Sequence, residues 1–248
     1  MFRILLYKQE KYNMIKNIAV IGSNGFVGNA ICDEILKYKN FNLIRITRDD
    51  DIKKLIKLAD IVIYSANNSK RYYAENNPQI DFVDTVEKAS NLYSIIGDKK
   101  IILISTVSAR VQLDSVYGRN RRSCELMLDD SKNLIVRLGP MYGDTNHKGA
   151  LFDILKNENV YVSEKTKYAY VDVKYNAKKI IEFLDETGVI EIGAKNSIEL
   201  GYIKKVLGSN STFNGSDDTQ ILLNPPVDAP DSYDVIGFAK RMEKTYEF

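Results

Sequence analysis

The stretch IAVIGSNGFVGNAI, residues 18–31, sets glycines at 22, 25 and 28 between an apolar run and an amphipathic one. Glycine at the first place permits a tight turn, at the second lets backbone approach a ligand, and at the third lets a helix pack closely on a sheet. A helix opening near Phe26 would aim free N–H groups and the positive end of its dipole at that ligand, which suits phosphate. Turns collect glycine for other reasons, so the triplet alone is weak. Its place, directly after a strand and opening a helix, points to a dinucleotide pyrophosphate lined by Gly22, Ser23, Asn24, Gly25, Phe26, Val27 and Gly28.

Other chemistries find little support. His147 is the single histidine, and Cys32 and Cys124 share no metal-ligand spacing, so neither a metal site nor a Ser/His/Asp triad is expected. The 35 Lys and Arg and 33 Asp and Glu give a net charge of +2, scattered along the chain, so a small-molecule partner is expected and not a nucleic acid. No apolar run approaches the roughly 20 residues that cross a bilayer, so no membrane partner is expected. Two cysteines without a framework fit a reduced, cytoplasmic protein. The opening MFRILLYKQEKYN turns quickly to charge without a cleavage site, and residues 1–13 read as an N-terminal extension before Met14.

The elements that must position the glycines follow from periodicity. Short β-branched runs at 17–22, 42–47, 60–66, 100–106 and 133–138 read as buried strands, and 25–38, 51–58, 78–96 and 117–131 carry helical spacing. Strand and helix in alternation predict an α/β fold, a Rossmann-type doubly wound parallel sheet whose ligands bind at the carboxyl ends of the strands. Residues 14–143 read as this dinucleotide-binding core. Residues 144–248 read mainly as a small C-terminal substrate-binding lobe and tail, not an independent domain. Within them NGSDDTQILLNPPVDAPDS holds three of the five prolines and predicts an extended wrap.

The glycine spacing is G-x-x-G-x-x-G, and ADIVIYSAN, ILISTVSA, YGRNRRSCE and VRLGPMYG follow it in order. Together they resemble the extended, nucleotide-sugar-modifying branch of the short-chain dehydrogenase/reductase superfamily, the NAD-dependent epimerase/dehydratase family. The resemblance runs from residue 18 to about residue 207. It implies that Ser65, Ala66 and Asn67 pass the adenosine ribose and that Pro140 lies beside the nicotinamide. It further implies that Thr106 hydrogen-bonds a substrate carbonyl and that Tyr117 donates a proton to the alkoxide formed by hydride transfer. Ser105 and Ser108 are competing hydroxyls; Ser108, Tyr142 and Tyr170 are candidates for the sugar side. A cation four residues after the tyrosine lies one turn on, on the same face. Here it is Arg121, where the family has Lys. The two are not interchangeable, so a working Tyr117/Arg121 pair and a weakened, dinucleotide-binding protein both stay open.

In NAD-preferring relatives an Asp ends the second strand; in IRITRDD that place is Thr47, with Arg48 next. Removing the carboxylate and adding a guanidinium favours a 2′-phosphate, hence NADP(H). Asp49 or Asp50 turned inward would restore NAD(H). Dehydratases of the branch place an Asp-Glu pair after the threonine, where this chain has Val107 and Ser108. An NADP-type strand end then implies net reduction of a nucleotide-linked keto-sugar, with an NAD-dependent 4-epimerase as the alternative. ITRDDDIKKLIKLADIVIYSAN has little room for a third strand and is similar to the reductase domain of capsular-polysaccharide enzymes acting on a 4-keto-6-deoxy-sugar. In YAYVDVKYNAKKI, Lys174 and Tyr175 stand where a helix-capping Asp pair is usual. The resemblance also implies a homodimer through 78–96 and 117–131.

Overall fold

The computed structural model describes residues 15–246, and the extension read in 1–13 lies outside the described residues. Six parallel strands form the central sheet: β1 (Lys16–Ile21), β2 (Phe41–Ile46), β3 (Ile61–Tyr64), β4 (Lys100–Thr106), β5 (Leu134–Leu138) and a strand from the C-terminal half, Gly188–Ile192. Their spatial order is β2, β1, β3, β4, β5 and then the late strand. β2 is therefore an edge strand. It is joined to β3 through only a five-residue helix, Ile52–Ile56, which leaves no place for a strand outside it. Register aligns Ile21 with Ile46 and Tyr64, and Thr106 with Leu138. Because Tyr64 pairs with Leu103, β4 runs three residues past the end of β3 and carries Thr106 beyond it.

Both faces of these strands are apolar because both are covered. On one face Ile18, Val20, Ile63, Ile102 and Val136 pack with Ile31 and Ile35 of α1 (Phe26–Ile35) and with Ile180 of the helix Val173–Glu182. On the other, Ala19, Val62, Leu103 and Ile135 meet Leu92, Ile96, Cys124 and Leu128. In chain order the remaining helices are α2 (Ile52–Ile56), α3 (Arg71–Asn76), α4 (Pro78–Phe82), α5 (Lys88–Ile96), α6 (Ser108–Val111) and α7 (Val116–Leu128). The single helix expected over 78–96 is interrupted by a π-turn at Val83–Glu87. Neither α3 nor α6 is legible as a helix in the sequence, because four to six residues show no period.

The second half of the chain does two things. The helix Val173–Glu182 (α9) packs on α1, and the strand Gly188–Ile192 completes the sheet, so this stretch extends the core. The rest builds a lobe around Leu151, Phe152, Ile198, Ile203, Val235 and Phe238. Its helices are α8 (Ala150–Leu155), α10 (Leu200–Leu207) and α11 (Asp234–Tyr246), with two small sheets that pair Met141–Tyr142 with Val171–Asp172 and Lys167–Tyr168 with Ile198–Glu199. The expectation for α9 needs correction. Asp172 is its cap, its carboxylate accepting from the Lys174 N–H at 2.8 Å, and Lys174 and Tyr175 already belong to the helix. Among the described residues no helix is long and apolar enough to cross a membrane, and no cluster of His, Cys, Asp and Glu could hold a metal.

Candidate active site

The glycine loop follows β1 with little room to spare. Gly22 has φ +83°, and a Cβ there would come within 2.8 Å of the Ser65 carbonyl and 2.9 Å of the Ala66 backbone. A Cβ on Gly28 would overlap the Gly22 carbonyl, so α1 can lie this close to the β1 turn only with glycine at that position. The Gly25 N–H closes the turn onto the Gly22 carbonyl at 2.9 Å, and Gly25 caps α1 with no side-chain partner for the first-turn N–H groups. Those groups stay available to a ligand. Asn24 is exposed beside them, whereas Ser23 is buried with its hydroxyl turned to the Ile46 carbonyl. Phe26 packs across Gly143, where any Cβ would lie about 3.0 Å from its ring, and Val27 joins the apolar cluster beneath α1.

Beside the loop, at the end of β2, Thr47 gives its N–H and hydroxyl to Asp50 Oδ2, both at 2.7 Å, and Arg48 is exposed. These two bonds hold the Asp50 carboxyl below its usual value. Sequence reading missed a third group here. Arg45 donates to the Ser23 carbonyl at 3.3 Å and to Asn29 Oδ1 at 3.2 Å, beside the first turn of α1. Two-residue alternation along β2 puts Arg45 and Thr47 on one face, which was the available signal. Past β3, Asn67 donates to the Ile104 carbonyl at 3.4 Å, while its Oδ1 is buried with no partner. Pro140 accepts from the Val171 N–H at 3.2 Å and links the core to the lobe.

The hydroxyl residues gather at the end of β4. Thr106 Oγ1 lies 3.4 Å from Ser108 Oγ and accepts from the Ser108 N–H at 3.3 Å. Ser105 is turned away, donating to buried Glu125 at 2.6 Å. α7 begins at once beyond α6, with the Ser115 hydroxyl capping it on the Gly118 N–H at 2.9 Å. Gly118 makes this approach possible, because a Cβ would strike the Gln112 carbonyl and lie 2.9 Å from that of Ser108. The glycine after Tyr117 thus brings the tyrosine's helix against the turn that carries Thr106 and Ser108.

Tyr117 is 8% exposed and has two guanidiniums near its ring: Arg121 is 4.5 Å from the ring centroid and Arg71 5.9 Å. Arg121 is buried and bonded to Thr85 and the Asn68 carbonyl, whereas Arg71 is paired with Asp218 from the tail. Asp218 also accepts from Tyr168 and Gln112, and Gln220 lies 3.2 Å away. This second cluster joins α3, the end of α6, the lobe and the tail beside Tyr117, and sequence reasoning did not find it. Tyr142 and Tyr170 are less open than expected. Tyr142 stacks on Phe238 at 4.8 Å and burial pushes its hydroxyl up to about 12, while Tyr170 meets Tyr168 edge-on at 5.4 Å.

No family model matches the chain, and no curated protein matches it. Solved structures do. UDP-N-acetylglucosamine 4-epimerase of Methanobrevibacter ruminantium, in complex with UDP-N-acetylmuramic acid, superposes with a TM-score of 0.73 at 19% identity, over 94% of this chain and 99% of that one. The dTDP-4-dehydrorhamnose reductase of Bacillus anthracis, in complex with NADP, gives 0.73 at 15% identity, over 92% and 100%. An NAD-dependent NDP-hexosamine 5,6-dehydratase of tunicamycin biosynthesis gives 0.78 at 11% identity, over 93% and 98%. The chain shares their fold. The Rossmann-type sheet expected from the glycine loop and the strand order is the one found.

Proposed function

We propose that this protein is an NADPH-dependent reductase of a keto group on a nucleotide-activated sugar, within the short-chain dehydrogenase/reductase superfamily. The observation that supports the reading is the helix of Tyr117, which Gly118 lets approach the turn that carries Thr106 and Ser108, with the Arg121 guanidinium on the Tyr117 ring. The chain fits a dinucleotide by its own geometry. Gly22 and Gly28 keep backbone where any side chain would collide, the first turn of α1 offers N–H groups, and Asn67 Oδ1 is a buried acceptor without a donor. Gly22 to Gly28 would hold the pyrophosphate, Ser65 to Asn67 the adenosine side, and Pro140 the nicotinamide side. When bound, the cofactor supplies a hydride to the carbonyl carbon.

The chain's residues do the rest. The Thr106 hydroxyl, adjusted by Ser108, hydrogen-bonds the carbonyl oxygen and favours the charge that develops there. The Tyr117 hydroxyl gives its proton to that oxygen, which becomes the product alcohol, and the phenolate left behind faces the Arg121 guanidinium. Arg48, exposed at the end of β2, is free to take a 2′-phosphate, and Arg45 adds positive charge nearby. The Asp50 carboxylate on Thr47 favours a second reading, an NAD-dependent 4-epimerase, because it stands where a ribose-binding Asp would act. The same proposal includes a homodimer across 78–96 and 117–131, where Ile80, Phe82, Tyr93 and Leu126 are exposed.

Turnover of NADPH with a panel of nucleotide-linked 4-keto-sugars tests the chemistry. Tyr117→Phe is expected to lower kcat by about 100-fold or more while leaving NADPH binding intact. A phenylalanine variant as active as the parent would remove Tyr117 from the reaction. A nicotinamide that stays bound through purification and returns the sugar without net oxidation would establish the epimerase.

A further inference from the structure

Arg121 stands where the resemblance implies a lysine, yet its surroundings are shaped for a guanidinium. The side chain is 2% exposed. Nη1 donates to Thr85 Oγ1, Nη2 donates to the Asn68 carbonyl, and Asp81 Oδ1 lies 3.9 Å from Nη2. The guanidinium carbon lies over the Tyr117 ring, 4.5 Å from its centroid. Asp81 is itself fully buried, held by Asn120 Nδ2 at 2.8 Å and Asn68 Nδ2 at 3.5 Å.

Thr85 meets Arg121 from the π-turn Val83–Glu87, between α4 and α5. Such one-turn widenings inside helices recur at functional sites. The Thr85 carbonyl meanwhile takes the Cys124 thiol at 3.3 Å, one turn further along α7, so the π-turn is fastened to the same helix twice. A planar fork reaches a hydroxyl, a carbonyl and an aromatic face at once from fixed directions. An ammonium is a single point. In this site it would leave the Asn68 carbonyl or the Thr85 hydroxyl without its donor, at the cost of a buried unsatisfied group.

We propose that Arg121 is a positioning residue locked in an arginine-specific socket of Asp81, Thr85 and the Asn68 carbonyl. The socket fixes the Tyr117 ring and, through Asn68, the 65–70 segment whose Asn67 carries the buried, unpartnered Oδ1 that would meet the dinucleotide. It deepens the reductase reading and rests on it for the identity of the ligand. Asp81 and Thr85, on elements distant in sequence from the glycine loop and the tyrosine, thereby become determinants of cofactor binding.

Hydrogen exchange by mass spectrometry on the full chain, with titrations of NADPH, NADH and ADP, tests this in Arg121→Lys and Thr85→Val. In Arg121→Lys, exchange across 65–70 is expected to quicken and the affinity for NADPH and NADH to fall, each by about tenfold, with ADP affinity falling as well because the loosened segment holds the adenosine side. Thr85→Val is expected to move both readouts in the same direction by a smaller factor. Exchange and affinity within about twofold of the parent in Arg121→Lys would overturn the socket, since a lysine would then serve as well. Should Arg121→Lys fail to fold, parental exchange over 65–70 in Thr85→Val would overturn it and faster exchange would support it. A parent that binds neither dinucleotide would defeat the reductase reading, and the exchange comparison would still decide the socket.

Discussion

Two carboxylates each collect several donors, Glu125 in the core and Asp218 where the tail meets the surroundings of Tyr117. Glu125 is fully buried; it takes Ser105 at 2.6 Å, Arg137 through two bonds of 2.9 and 2.7 Å, and Arg122 at 2.9 Å. Those partners lie on β4, β5 and α7, elements of one layer pair. Asp218 takes Arg71 from α3, Gln112 from the end of α6 and Tyr168 from the lobe, parts that no regular hydrogen-bond ladder joins. The same device therefore does different work. Around Glu125 it ties strand to helix within the core, and around Asp218 it joins separate parts of the chain beside Tyr117, with Arg71 5.9 Å from that ring.

The comparison is sharpest under substitution. Removing the Glu125 charge takes from Arg137, only 12% exposed, its two-bond partner and leaves it Glu191 at 3.6 Å, while Ser105 and Arg122 lose their shared carboxylate. Glu125→Gln should therefore cost about 3 kcal/mol of stability in urea unfolding. The folded fraction should still bind dinucleotide with parental affinity. Asp218→Asn should cost less, about 1–2 kcal/mol, because its charged partner Arg71 is 36% exposed and an amide can still accept from it and from Tyr168. It should also lower turnover while leaving dinucleotide binding unchanged. Equal stability losses, or a turnover defect confined to Glu125→Gln, would erase the distinction.

A third carboxyl, in the lobe away from both hubs, gives the smallest effect. Burial, and after it the Glu158 charge, pushes Asp153 up to about 6 from the usual 3.8. The folded state then holds this proton more tightly than the unfolded chain, so stability from this group falls as pH rises between those values and the ionised form is a net cost at pH 7. Asp153→Asn should raise stability at pH 7 by about 1 kcal/mol, screening at this half-buried position limiting the gain. At pH 4 the gain should largely vanish.

The same contrast explains what was legible. The core could be read because its strands are near-continuous apolar runs, its helices have a period, and the glycines at 22, 25 and 28 are adjacent in sequence to what they turn. The short β2–β3 link could be read from its length. The Asp218 cluster could not, since Arg71 and Asp218 are 147 residues apart and neither stands out in its own segment. The π-turn at 83–87 was hidden because it keeps the helical pattern on both sides and differs by one residue of phase. Arg121 was visible as a departure from lysine, but its partners Asp81 and Thr85 were not. Among the hydroxyls, only the fold shows that Ser105 and Ser23 face inward while Thr106 is partly open.

The central claim is that the glycine loop and the end of β2 bind a 2′-phosphorylated dinucleotide for net reduction. Fluorescence titration of the purified protein with NADPH and with NADH, and of Arg48→Ala with both, tests it most directly. The account predicts tighter binding of NADPH than of NADH, by about tenfold, with that preference lost in Arg48→Ala. A preference for NADH unaffected by Arg48→Ala would contradict it and give the end of β2 to Asp50.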